Sequence, residues 1–391
     1  MKRAIAAVGE FLRRADMLLF GLCVLASVFG IVMISSATRA VGADRYVSVQ
    51  TAALILGILV YVLLTLIDID IIAERRELLF LFNVLFIATL IPFGVEGSTG
   101  NRSWLRFSWL PFGIQPAEIC KISFILIMAK TMSISRERIS ALRPVGVITA
   151  HMLVMVGLIV YASSDAGMAL VFALIYIIMA YAGGVGFGWF LAGAGAVAAA
   201  APLLWTRVMR DDQKQRILMI FDPTIDPDGL DIRYQTRIST SYIKSGGLAG
   251  QGLYEGTQTQ AGILPAQHTD FIFSSIGEEL GILGCVAVLV LLGAIVARCI
   301  YVGVKSGNYM NRLICVGIAG MLICQTFINV GMCVGVFPVI GLTLPFFSYG
   351  GSSLLTMFLA AGIVSGIHMR PAPDANARYI RPKFQKRAYI S

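Results

Sequence analysis

Long apolar runs alternate with short polar connections along almost the whole chain. They span about 17–36, 48–67, 78–95, 115–133, 145–163, 166–184, 186–205, 272–298, 311–336 and 352–369. An α-helix needs about 20 apolar residues to cross a hydrocarbon core. The pattern therefore predicts an all-α, polytopic integral membrane protein with about ten transmembrane helices. Only the Gly-rich Ala182-Gly183-Gly184-Val185-Gly186 separates the sixth run from the seventh. A single long polar excursion, about 206–271, falls between helices 7 and 8. It contains a turn-rich acidic stretch, Phe221 to Gly229, and a Gly-rich stretch, Ser245 to Gln260. Its residues Phe221, Tyr234, Ile238, Tyr242 and Ile243 predict short amphipathic pieces lying on the membrane surface. The arms, about 1–16 and about 370–391, are too short to fold alone, and the Pro- and Arg-rich second arm is expected to be disordered. Residues 1–391 thus read as a single membrane domain.

Composition agrees with that pattern. Of 391 residues, 57% are hydrophobic and 14% charged, beyond what soluble domains usually carry. The first run follows Lys2, Arg3, Arg13 and Arg14 and lacks a small-residue cleavage site, so it reads as a span rather than a removable leader. Basic residues set orientation, with short loops the strongest votes. Arg75 and Arg76, the Lys130/Arg136/Arg138/Arg143 group and the tail from Arg370 fall on one side. Both termini are therefore expected in the cytoplasm and the long loop outside. The net charge of +9 sits on those flanks, where anionic lipid headgroups account for it without nucleic acid. The seven cysteines all lie in or at the edges of apolar runs and none forms a C-x-x-C pair, which argues against a disulfide framework or a cysteine zinc site.

Four places could carry chemistry. Asp270 ends the loop in Leu264-Pro265-Ala266-Gln267-His268-Thr269-Asp270-Phe271-Ile272-Phe273, where a carboxylate meets both water and lipid. It reads either as a favourable charge at a helix N-terminus, with Ser275 and Glu278 at capping-box spacing, or as a general base. In Gln115-Pro116-Ala117-Glu118-Ile119-Cys120-Lys121, Pro116 suits a first helical turn. Glu118 and Lys121 share one face, as a structural ion pair or as contacts to an anionic substrate. Arg102 in Asn101-Arg102-Ser103-Trp104 is a headgroup anchor or a pyrophosphate contact. Asp165 is isolated between two runs, as a cap or a site residue. The uncharged Gly335 to Ser353 segment, with Pro338, Pro345 and Ser348, predicts a re-entrant or kinked connection covered by protein. Gln325 and Asn329 are expected to face inward.

Taken in order, RSW, QPAEICK, DAG, SGGLAGQG, HTDFIF with GEELG, and PVIGLTLPFFSYGGSS resemble the shape, elongation, division and sporulation (SEDS) family, which includes RodA, FtsW and SpoVE. The resemblance runs from the first span to Ser353. It implies a ten-helix glycosyltransferase that polymerises lipid II into peptidoglycan strands and releases undecaprenyl pyrophosphate. It further implies Asp270 as the essential base and Arg102, Glu118, Lys121, Asp165, His268, Thr269 and Ser348 as substrate-binding positions. The implied partners are a class B penicillin-binding protein, which would supply crosslinking, and other elongasome or divisome membrane proteins. The implied location is a bacterial plasma membrane. A divalent cation, Mg2+ or Mn2+, could bridge the pyrophosphate and loop acids, but no metal-ligand spacing demands one. The chain departs from the family pattern at Ala266 and Gly262, where many members carry acids, and at Ser163-Ser164, where Gln-Pro is usual. The short first arm and Gly256 to Gln260 lean toward RodA, whereas Gly341-Leu342-Thr343 leans a little toward the division and sporulation members; the balance favours a RodA-like member. A lipid II flippase and a non-catalytic scaffold for penicillin-binding proteins are the alternative functions.

Overall fold

The computed structural model describes residues 9–96, 101–209, 211–222, 226 and 233–370. Most of the acidic stretch at 221–229, the first eight residues and the tail from 371 lie outside the described residues.

Each predicted apolar run coincides with a helix. The helices are α1 (Met17–Ala37), α2 (Ala43–Leu66), α3 (Arg76–Phe93), α4 (Pro116–Ile134), α5 (Leu142–Ser163), α6 (Ala166–Ala182) and α7 (Phe187–Leu203). After the polar excursion come α10 (Ile272–Lys305), α11 (Tyr309–Cys333) and α12 (Gly351–Met369). Among the described residues, eight helices are long and apolar enough to cross a membrane. The other two are α6, 17 residues long, and α4, which carries Glu118, Lys121 and Lys130. The excursion holds α8 (Asp211–Phe221), α9 (Tyr234–Gly246) and a short turn of helix at Thr257–Ala261. No strand forms among the described residues. Two isolated bridges, Val95 with Trp104 and Leu105 with Ile114, shape the loop ahead of α4.

Local chemistry sets several helix ends. The Asp16 side chain accepts from Leu19 N–H at 3.0 Å to open α1, and Asn308 accepts from Met310 N–H to open α11. Pro116 occupies the first turn of α4, where its missing N–H costs nothing. The interior is built where α12 packs on α2, α10 on α11, α9 and α1, and α11 on α6 and α4. By contrast, α7 has no buried residue.

One predicted span is divided. Helix α10 breaks at Gly281, with φ 66° and ψ −164°. The break receives the Gly-rich stretch edge-on: Gln251 N–H donates to Glu278 O at 3.0 Å, Gly252 N–H to Glu279 O at 3.0 Å, and Ile282 N–H to Gly247 O at 2.9 Å. A Cβ on Gly281 would stand 2.4 Å from the Gly250 nitrogen, and one on Gly250 2.1 Å from the Glu279 oxygen. Glycine is required at both places by close approach and by positive φ. The capping box expected at Ser275 and Glu278 does not form. Ser275 lies inside the helix with no partner for its hydroxyl. Glu278 instead accepts from the N–H groups of Gln258 at 3.0 Å and Thr259 at 2.7 Å. It holds the start of the Thr257–Ala261 helix, the end where a negative charge is favoured.

Candidate functional site

Three polar connections converge above the bundle: the loop before α4, the Gln267–Phe271 turn before α10, and the 334–350 segment before α12. Between them lies a cavity of about 400 Å³. Its polar lining includes Asp270, Asp165, Glu118, Arg45, Arg106 and Thr269.

Asp270 is 9% exposed, and what exposure it keeps is toward this cavity. It does not cap α10, because the residue at that position is Phe271 and no side-chain cap bond forms. Burial, with added repulsion from Asp165, pushes its carboxyl up to about 6. Its backbone is held firmly. Asn329 Nδ2 donates to Asp270 O at 2.8 Å, and the Cys333 thiol approaches the same oxygen at 3.7 Å.

Asp165 caps a helix and also lines the cavity. One oxygen accepts from Met168 N–H at 3.0 Å and so caps α6. The other accepts from Ser103 Oγ at 3.0 Å and Gln115 Nε2 at 3.2 Å. The bonds from Met168 and Ser103 partly offset the upward push of burial on its carboxyl, to which nearby Glu118 adds. Glu118 and Lys121 pair at 3.0 Å with side chains 2% and 0% exposed. Only Glu118 reaches the cavity, and its Oε2 is buried without a partner. A pair this deep is held by mutual neutralisation.

Of the remaining predicted positions only Thr269 is among the cavity-lining residues. Arg102 is not among the cavity-lining residues: its side chain is exposed and pairs with Glu96 at 3.3 Å, while its N–H donates to Ser163 O. His268 packs edge-on against Tyr46, with ring centroids 4.8 Å apart, and lies 5.6 Å from the Tyr349 ring. Burial lowers its imidazole from the ordinary range. Thr269 lines the cavity. Ser348 Oγ donates to Thr269 O at 2.6 Å and accepts from Leu344 N–H at 2.8 Å, so it joins two of the loops. The 334–350 segment is covered, as expected: Leu342, Leu344, Phe346 and Phe347 are all buried. It sits hard against α1, where a Cβ on Gly30 would come within 2.8 Å of the Phe347 backbone.

Sequence reasoning missed the two cavity cations. Arg45 and Arg106 line the hollow, and neither makes an ion pair with an acid among the described residues. Their only signal was position, since each sits in a polar connection just outside an apolar run. Among the described residues no group of three or more His, Cys, Asp or Glu converges as a metal-binding set.

A family model described as Cell cycle protein, spanning FtsW, RodA and SpoVE, matches residues 16–372. Peptidoglycan glycosyltransferase MrdB of Escherichia coli K12 is 35% identical over 293 residues, covering 74% of this chain and 76% of that protein. Probable peptidoglycan glycosyltransferase FtsW of Trichlorobacter lovleyi is 34% identical over 383 residues, covering 93% and 96%. Two solved structures share the fold. One chain, from work on "Structural coordination of polymerization and crosslinking by a peptidoglycan synthase complex", aligns with a TM-score of 0.78 at 30% identity, covering 92% of this chain and 99% of that one. Rod shape determining protein RodA of Thermus thermophilus aligns with a TM-score of 0.68 at 27% identity, covering 92% and 98%. With the same arrangement of helices and a match along nearly its full length, this multi-pass membrane protein belongs to the FtsW/RodA/SpoVE family of cell cycle proteins.

Proposed function

We propose that this chain is a peptidoglycan glycosyltransferase that joins lipid II units into glycan strands and releases undecaprenyl pyrophosphate. The observation that carries the reading is Asp270, a nearly buried carboxylate facing a polar cavity that also holds two arginines. Support comes from the glycosyltransferase names of its relatives.

In this reading Asp270 accepts the proton from the acceptor sugar hydroxyl as that oxygen bonds to the donor's anomeric carbon. The bond from that carbon to the pyrophosphate oxygen breaks, and the lipid pyrophosphate departs with the electron pair. A base works best with a pKa near the operating pH, which suits the value of about 6 at Asp270. A leaving group bearing two phosphates is stabilised by fixed positive charge. Arg45 and Arg106 are the cavity cations for that task, and Arg102 meets the headgroup on its approach. Lys121 acts through Glu118. Asp165 and Thr269 form part of the walls around the sugars, and His268 and Ser348 support the turn that carries Asp270.

The same reading makes residues 1–391 one membrane domain with ten spans in a bacterial plasma membrane, both termini cytoplasmic and the 206–271 loop outside. It gives the chain a class B penicillin-binding protein as partner, consistent with the synthase complex among its structural neighbours. An elongation role is favoured by the similarity to MrdB and RodA.

The test combines purified protein, a matching penicillin-binding protein and labelled lipid II. Polymer is expected from the wild type and not from Asp270→Asn. Equal polymer from both, none from the wild type, or lipid translocation in proteoliposomes without polymer would each reject the assignment.

A further inference from the structure

We propose that Gln50, an amide on α2 that does not line the cavity, is a positioning residue that fixes the approach of Asp270 to the reacting sugar. The proposal rests on the glycosyltransferase reading of the same site. Gln50 is 1% exposed, and its side chain crosses to the 334–350 segment. Its Nε2 donates to Ser348 O at 3.1 Å, and its Oε1 accepts from Gly350 N–H at 3.1 Å. One orientation of the amide alone satisfies a carbonyl and an N–H together, so the contact is specific rather than incidental.

The clamp is passed on by two further bonds. Ser348 Oγ donates to Thr269 O at 2.6 Å. Tyr349 N–H, between the two clamped residues, donates to His268 O at 2.9 Å. Residues 268 and 269 lead straight into Asp270. The chain of contacts therefore runs from a rigid membrane helix, through residues 348–350, to the two residues before the base. Burying an amide costs free energy unless both of its ends are paired. Here both ends are spent on one loop, and on the part of it that touches the turn before Asp270. Without the amide, the Ser348 carbonyl and Gly350 N–H would be left buried and unpaired, at a cost the loop can relieve only by moving. Any such movement is transmitted to 268 and 269. A displacement of about 1 Å at a reacting group can cost about 10²-fold in rate.

Two substitutions test this. Gln50→Leu keeps the bulk and removes both bonds. Its polymerisation rate is expected to fall about 10- to 100-fold, while thermal melting in detergent still shows a folded protein. Its residual activity should also change its pH profile. Asp270 owes its raised pKa first to burial and then to Asp165. Glu118, Arg45 and Arg106 line the same hollow. A loosened turn admits water, so the acid limb should move toward lower pH, whereas mere loss of folded protein would scale the profile without moving it. Gln50→Glu supplies the rescue. A protonated carboxyl has one donor and one acceptor, as the amide does, and burial favours that form. Its activity should exceed that of Gln50→Leu at about pH 5.5 and decline relative to wild type as it ionises on the alkaline side. The proposal is overturned if Gln50→Leu polymerises like the wild type. It is equally overturned if its acid limb stays put and Gln50→Glu is no better than Gln50→Leu at every pH. An inactive wild type would instead reject the glycosyltransferase reading.

Discussion

Asn329 donates from a single amide nitrogen to two backbone carbonyls, that of Asp270 at 2.8 Å and that of Leu342 at 2.7 Å. One side chain on α11 therefore ties the turn bearing the carboxylate to the segment that closes the opposite wall of the cavity. Both carbonyls sit in protein, where an acceptor without a donor costs about 1–3 kcal/mol. Asn329→Leu should lower the melting temperature measurably and reduce polymerisation more than Cys324→Ala, a substitution elsewhere on α11. Equal effects of the two on the polymerisation rate would mean that the tie has no special bearing on the site.

The ionisation of Asp270 makes a prediction for rate. The base must be unprotonated, so activity should fall as pH drops through about 6. A pH series of polymerisation at saturating lipid II checks this. An acid limb near the ordinary carboxylate value of 3.8 would mean that Asp270 is well solvated during turnover.

The same group makes a separate prediction for stability. Its pKa is higher in the fold than in the unfolded chain, so the stability it contributes is present below 3.8 and lost as pH rises through about 6. At neutral pH the charged form is a burden on the fold. Asp270→Asn should therefore melt at a higher temperature than wild type at pH 7.5, with the gap closing toward pH 4. A lower melting temperature for the variant at neutral pH would contradict this.

Glu118 and Lys121 are coupled through burial. Removing one member of such a pair strands a charge and typically costs about 3–5 kcal/mol, whereas replacing both is far milder. Lys121→Met should reduce the yield of folded protein sharply, and Glu118→Gln combined with Lys121→Met should recover most of it. Size-exclusion profiles in detergent report the difference. If the double variant is as poor as the single one, the pair has a role beyond charge balance.

The break in α10 depends on Gly281. Alanine there would meet the Gly250 nitrogen at 2.4 Å and would have to adopt φ 66°, a combination expected to cost at least about 1–3 kcal/mol. Limited proteolysis should then cut the Gly247–Gly256 region of Gly281→Ala faster than in the wild type. Unchanged cleavage would show that the loop docks independently of the break.

The spans were legible because hydrocarbon demands length and apolarity, and both are written directly in the residues. Asp270 was legible for a related reason: a lone acid at the end of a long polar stretch stands out against apolar neighbours. The break at Gly281 was hidden, since Ile276-Gly277-Glu278-Glu279-Leu280 reads like an ordinary opening turn until the glycines of 246–252 are seen resting on it. Arg102 and Arg106 could not be separated by inspection, because a few residues of loop determine which one turns toward Glu96 and which toward the cavity. Gln50 gave almost no signal. Its partner lies 298 residues away, and spacing along a helix carries no trace of so distant a contact.

The kink in α10 divides labour within one unbroken stretch of chain. Ahead of it, Ile272 to Glu279 are all enclosed by protein, whereas beyond it Ile282, Leu283, Val286 and Val290 project outward. The upstream piece must fit its neighbours on every side, while the downstream piece fits them only along the face of Val288, Leu292, Ile295, Cys299 and Val302. Exchanging one greasy residue for another should therefore be nearly free at Ile282, Leu283, Val286 and Val290 and punishing throughout Ile272 to Glu279, a contrast that a saturation library of this single helix would draw.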